Sequence, residues 1–76
     1  MDMKIRFLKT LTLDVESPRM EEVWYKTYPK WQELLVEEIY ISEKTATLKT
    51  DTGDFILQVP LDAFEKLKEE KRTIAF

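Results

Sequence analysis

The side chains that could do acid–base or nucleophilic chemistry in this chain are carboxylates, amines and hydroxyls. The sequence contains no His and no Cys, so the commonest general base, the usual transition-metal ligands and the thiolate nucleophile are missing. Three carboxylate pairs could offer oxygen atoms to a hard cation, but none has the spaced acids and central Gly of a calcium loop. These pairs are Glu37 with Glu38, Asp51 with Asp54, and Glu69 with Glu70. We therefore expect a protein that is not an enzyme and that holds no metal and no cofactor.

One triplet, Asp51-Thr52-Gly53, is similar to the signature of aspartic proteases. In those enzymes two such carboxylates share a proton and activate water. That class places an apolar strand directly before the Asp and a glycine-bearing segment behind it. Here Lys49-Thr50 precede the Asp and the chain has no second glycine. We interpret the triplet as part of a hairpin turn.

Aromatic side chains are concentrated between Trp24 and Trp31, where eight residues hold four of the nine aromatics. Such rings suit a cap on a small core and a partner surface equally well, so both interpretations stay open. Between residues 14 and 43 eight acids face three bases. An exposed aromatic centre with an acidic rim is typical of a protein interface and favours a basic or amphipathic partner. The predicted partner surface covers residues 20–40, and its partner-binding residues are Trp24, Tyr25, Tyr28, Trp31, Glu33 and Glu37.

Positive charge is concentrated toward the two ends of the chain. If the ends pair, a basic strip would form that could contact phosphates, although a solvated outer face is the competing interpretation. No aromatics are interleaved with these bases, as binders of single strands require. The alternative function is thus a nucleic-acid-associated regulator that uses the basic ends or presents an acidic face mimicking nucleic acid. The basic residues predicted for it are Lys4, Arg6, Lys71 and Arg72.

The chain has 76 residues, 43% of them hydrophobic, with a net charge of −3. This length predicts one domain over residues 1–76 with a small core. No apolar run approaches the roughly 20 residues that cross a bilayer. We expect a cytoplasmic protein without membrane contact.

The first third of the chain predicts one strand followed by a helix. Apolar residues alternate from Met3 to Glu16 except at Leu8-Lys9, which indicates a long strand with a bulge or bend. Ser17-Pro18 is typical of a helix start, and apolar residues at helical spacing continue to Pro29. A rigid loop is the competing interpretation of this segment.

The remainder predicts further strands and a helical turn. Residues 30–38 fit either a helix or a strand, with strand favoured from Val36 onward. Thr45–Thr50 and residues 55–59 form a predicted hairpin around Gly53, the position expected to need a positive φ. The second tight connection is Glu43-Lys44.

After Pro60, Asp62 and Glu65 have the spacing of a capping box, which predicts a short terminal helix carrying Phe64 and Leu67. Residues 73–76 are predicted to pair as a last strand beside the first. An exposed edge, such as residues 45–50 or 74–76, would allow a homo-oligomer.

The segment from Thr52 to Leu67 resembles the Src-homology-type small barrel, in which a hairpin glycine, an apolar strand, a proline, a short turn and an aromatic follow one another. The order of predicted elements is similar as well. The resemblance implies a mainly β or α+β fold: a small antiparallel Src homology 3-like barrel. It would carry a short helix inserted after the first strand and a helical turn before the last strand.

Overall fold

The computed structural model describes residues 3–67, which form one antiparallel sheet of seven strands. The elements are β1 (Lys4–Phe7), β2 (Leu11–Ser17), β3 (Glu22–Tyr28), β4 (Glu33–Tyr40), β5 (Thr45–Lys49), β6 (Phe55–Pro60), a 3-10 turn (Leu61–Ala63) and β7 (Phe64–Lys66). The strand order in the sheet is β3-β2-β6-β5-β4-β1-β7. The mainly β prediction is confirmed. The closed barrel was wrong, because among the described strands β3 and β7 are the two ends of the sheet and do not pair.

The alternating N-terminal segment is broken at Leu8-Lys9, as predicted, and forms two strands. Ile5, Phe7 and Val15 are buried, which confirms the face assigned to the core. Strand β1 pairs with β4 and β7, whereas β2 pairs with β3 and β6. The break therefore carries the chain from one part of the sheet to another.

The helix predicted after Ser17-Pro18 was wrong. A turn follows β2, and β3 then pairs with β2 along its whole length, from Ser17 opposite Glu22 to Leu11 opposite Tyr28. Val, Trp, Tyr and Thr make up most of β3, and these residues favour a pleated, half-buried surface. Pairing with β2 runs along all seven residues on one side of β3 and outweighs a short helix that is marginal by itself.

The central strands follow the predicted hairpin. Strand β4 begins at Glu33, three residues before the predicted Val36. Gly53 has φ 85°, as expected, but four other residues described by the structure also have positive φ: Glu21, Trp31, Lys44 and Gln58. Strand β5 lies between β4 and β6, so the predicted edge at residues 45–50 was wrong.

Within residues 60–67 the chain forms a single 3-10 turn in place of the predicted capping box and helix. Leu61–Ala63 form the turn, which has Pro60 at its N-cap and no side-chain capping hydrogen bond. Phe64 and Glu65 already belong to β7, which pairs with β1. The strand that lies beside the first strand is therefore β7. The predicted strand at residues 73–76 falls outside the described residues.

The core is formed by apolar side chains from six of the strands. Phe7 and Tyr28 pack edge to face, with ring centroids 6.0 Å apart. This contact joins β1 to the end of β3. The buried cluster consists of Ile5, Phe7, Val15, Tyr28, Leu34, Ala46, Leu48, Ile56 and Val59.

Candidate protein-interaction surface

The β2–β3 hairpin divides the predicted aromatic residues between two faces, because alternate residues of a strand point in opposite directions. Tyr28 is only 5% exposed and belongs to the core, so its prediction as a partner-binding residue was wrong. Trp24 is half-buried and packs against the core. Tyr25 points the other way and is 79% exposed. The hairpin thus contributes Tyr28 and Trp24 to the core side and one exposed ring, Tyr25, to the surface.

The outward side of the hairpin carries Tyr25 among acids. Tyr25 lies opposite Asp14, and Val23 lies opposite Glu16. At the other end Thr12 and Thr27 face each other, with hydroxyl oxygens 2.9 Å apart. We call these six side chains the hairpin face: Thr12, Asp14, Glu16, Val23, Tyr25 and Thr27. It has an aromatic and aliphatic centre with carboxylates directly beside it.

The tip of the hairpin continues this surface and is held in place by hydrogen bonds. Met20 is 65% exposed, and its backbone N–H donates to the Ser17 carbonyl at 3.3 Å. The Arg19 Nη2 donates to the Thr52 carbonyl at 2.9 Å. The hairpin tip is therefore held against the β5–β6 turn. The exposed Glu21 and Glu22 follow at this end and add to the acidic surroundings.

Trp31 lies apart from the hairpin face, in the connection between β3 and β4. The residue is 53% exposed, and its backbone N–H donates to the Phe7 carbonyl at 2.9 Å. The Arg6 guanidinium carbon lies 4.9 Å from the ring centroid and the Lys30 Nζ lies 4.7 Å from the indole. The acidic rim predicted around Trp31 is thus replaced by two cations. The expectation that no aromatic is interleaved with the bases was wrong at this position.

Backbone strain marks the same position. Trp31 has φ 77°, in the left-handed region that bulky residues rarely adopt. The Phe7 N–H donates to the backbone carbonyl of the next residue, Gln32, at 3.0 Å. Phe7 of β1 therefore bonds to this connection through both its N–H and its C=O. The backbone of this large aromatic residue is therefore held in a conformation that glycine would adopt more easily.

The predicted acidic residues of β4 do not join the hairpin face. Glu33 pairs with Lys4, with 3.2 Å between carboxylate oxygen and ammonium nitrogen. Glu37 is exposed where a register shift interrupts the β4–β5 pairing. Strands β2, β6 and β5 separate β4 from β3 in the sheet. Neither residue is part of the hairpin face, although Glu33 lines a pocket together with Lys26 and Thr27 near the end of β3.

The predicted basic strip is described only in part. Arg6 donates from Nε to a Glu65 carboxylate oxygen at 2.8 Å and also pairs with it through Nη2. Lys71 and Arg72 lie outside the described residues. Lys4 and Arg6 are thus each engaged by a carboxylate.

Two surface residues were missed by sequence reasoning. Val23, 63% exposed, and Met20 lie within the predicted surface of residues 20–40, but they were assigned to one face of a helix and not to the binding residues. The signal that could have found them is the alternation of Val23, Tyr25 and Thr27 opposite Thr12, Asp14 and Glu16, which two paired strands would place on one side.

Residues 3–67 contain no group of three or more acids positioned to hold a metal ion. The Asp51-Thr52-Gly53 triplet lies in the β5–β6 turn, where the Gly53 N–H donates to the Thr50 carbonyl at 3.1 Å. The hairpin-turn interpretation is confirmed. Burial, together with the charge of Asp54, raises the pKa of Tyr28 above its ordinary value, which keeps its hydroxyl neutral.

Within the same residues, no helix is long and apolar enough to cross a membrane. No protein-family model, curated protein or solved structure matches the chain. Function is therefore inferred from the chemistry of the described surface.

Proposed function

We propose that this chain is a non-catalytic protein-interaction module that binds a protein partner through the hairpin face. The observation that carries the proposal is Tyr25, 79% exposed beside Val23, 63% exposed, on a seven-residue strand. Burial of both side chains in an interface is favourable, and the Tyr hydroxyl can form a hydrogen bond across it. Tyr is among the residues that most often dominate binding energy.

The acids around Tyr25 set the chemistry of the partner. Asp14 and Glu16 flank the apolar centre from β2, and Glu21 and Glu22 lie at its tip end. A basic or amphipathic segment complements this charge pattern and is steered toward it. Trp24 lies beneath the strand and supports it from the core side.

We further infer that the architecture is a Src homology 3-like arrangement with open sheet ends. Three features support it. The chain runs from β1 through a long hairpin into the β4-β5-β6 meander, a 3-10 turn precedes the last described strand, and that strand lies beside β1. In place of an inserted helix, the connection after β1 holds the β2–β3 hairpin.

The proposal is tested by comparing proteins captured on the immobilised wild type, Tyr25→Ser and Tyr40→Ser. Tyr40 is a matched control, because it is exposed but lies on β4, away from the hairpin face. A protein captured by the wild type and by Tyr40→Ser but lost with Tyr25→Ser is the expected result. Equal capture by all three variants, each with an unchanged melting curve, would contradict the proposal.

A second candidate function is favoured by the environment of Trp31. An exposed ring between Arg6 and Lys30 combines a stacking surface with positive charge, as binders of single-stranded nucleic acid do. In a Trp24→Phe variant the remaining indole, Trp31, reports binding of an oligothymidylate by fluorescence quenching. This candidate requires quenching that weakens steeply with added salt. Absence of quenching at low salt would remove it.

A further inference from the structure

We infer that two copies of this chain associate edge to edge through β3, in antiparallel orientation, with Trp24 of each copy at the two-fold axis. The inference goes beyond the proposed function, since it concerns the backbone edge of β3 and a second copy. The hairpin face could bind its partner with or without it.

The edge of β3 is open in the part of the chain that the structure describes. Strand β3 pairs there with β2 alone and ends the sheet. Its seven residues, Glu22–Tyr28, contain neither Pro nor Gly to interrupt pairing. Successive N–H and C=O groups along such an edge offer a template for another strand. The strand at the opposite end, β7, has only three residues.

The sequence of β3 complements itself about Trp24. Two-fold pairing centred there places Glu22 of one copy opposite Lys26 of the other, and the reverse contact forms at the same time. It also places Val23 opposite Tyr25 of the second copy. Side chains directly opposite in an antiparallel pair lie close enough for ion pairs and apolar contacts to stabilise it. Both charged residues are exposed in the single copy.

Neighbouring registers lack this complementarity. An axis through Tyr25 would place Trp24 opposite Lys26 and Glu22 opposite Tyr28, leaving both charges without opposite partners. The axis at Trp24 is therefore the register selected by charge.

This association would enlarge the hairpin face. Val23 and Tyr25 lie on the same side of β3, so the second copy would add its own pair to a continuous outer surface. Asp14 and Glu16 of each copy would then border the surface on both sides, since β2 lies next to β3. A joined centre of this kind presents more apolar area to a partner than either hairpin alone.

Charge-swapped variants test the register. Lys26→Glu and Glu22→Lys each place like charges opposite one another at two positions, and we expect each to raise the dimer dissociation constant by about tenfold or more. The double variant Glu22→Lys/Lys26→Glu restores opposite charges and should dimerise like the wild type. An equimolar mixture of the two single variants should form a heterodimer, because every pair in it is again opposite in charge. Sedimentation equilibrium over a concentration series measures all five samples.

Two results would overturn the inference. One is a wild type that sediments as a monomer at every concentration. The other is a dimer that Lys26→Glu and Glu22→Lys leave intact, which would place the interface elsewhere. Circular dichroism melting of each variant separates lost association from lost folding. A monomeric wild type that still captures a partner through Tyr25 would refute the dimer alone and leave the proposed function standing.

Discussion

The backbone conformation of Trp31 predicts that Gly is a more stable substitution than Ala at this position, which reverses the usual order of stability. At an ordinary strand position Gly is less stable than Ala by roughly 0.5–1 kcal/mol. Trp31 has φ 77°, where a residue with a Cβ loses about 1–2 kcal/mol relative to the right-handed region. Trp31→Ala keeps this backbone cost, whereas Trp31→Gly removes it. Gly also has more conformational freedom than Ala in the unfolded chain, which lowers the stability of Trp31→Gly by roughly 0.4–1 kcal/mol.

Both variants lose the same contacts of the ring with Arg6 and Lys30, so these contacts cancel in the comparison. We expect Trp31→Gly to exceed Trp31→Ala by about 0.5–1 kcal/mol in the free energy of unfolding. For a domain of this size that corresponds to roughly 2–8 °C in Tm. Urea unfolding and thermal melting, followed by circular dichroism, measure the difference.

Leu35 supplies the matched control. It is partly exposed like Trp31, lies in β4 and has no positive φ. Leu35→Gly should therefore be less stable than Leu35→Ala. If Gly is the less stable substitution at both positions, the strained backbone assigned to Trp31 is refuted.

Three further predictions concern the core, one turn and one titrating group. Leu48 is fully buried, so Leu48→Ala should lower the free energy of unfolding by about 2–5 kcal/mol in urea, and a loss below about 1 kcal/mol would contradict its place in the core. Gly53→Ala should cost about 1 kcal/mol through its φ of 85° alone, since the nearest atom to an added Cβ, on Arg19, is 3.9 Å away; a neutral result in thermal melting would argue against this turn. Because the pKa of Tyr28 is raised in the folded state, the unfolded chain releases the phenol proton at a lower pH than the folded chain does. The free energy of unfolding should therefore be unaffected by this group below about pH 10 and fall above it, by up to about 1.4 kcal/mol per pH unit. Tyr28→Phe should flatten that alkaline decline in urea unfolding at stepped pH, and an unchanged slope would assign it to other groups.

Local pattern was sufficient for the strands whose neighbours in sequence are also their neighbours in space. The alternation before Glu16 and the turn at Gly53 both depend on residues a few positions apart, and both were predicted. Strand β3 was not, because Met20, Val23 and Trp24 fit helical spacing while Val23, Tyr25 and Thr27 fit strand alternation. Pairing with β2 decides between these two patterns, and that pairing cannot be predicted from the local propensities of the residues in β3.

The candidate site was predicted in part for the same reason. Tyr25 and its acidic surroundings follow from the composition of the segment, but which aromatic ring is buried depends on the side of the hairpin it occupies. Trp31 illustrates a second limit. Its contact with Arg6 joins residues 25 positions apart, which β1–β4 pairing brings together. No local pattern predicts such a contact.

The most direct test of the proposed interaction module is capture on the immobilised chain from a lysate of the cells that make it, with and without nuclease and at low and raised salt. We predict that a protein partner is retained after nuclease treatment and at raised salt, because an interface with Tyr25 and Val23 at its centre loses less affinity on addition of salt than phosphate contacts do. Tyr25→Ser should lose that partner while Tyr40→Ser keeps it. Capture abolished by nuclease and by moderate salt would contradict the account and assign binding to Trp31 and its flanking cations.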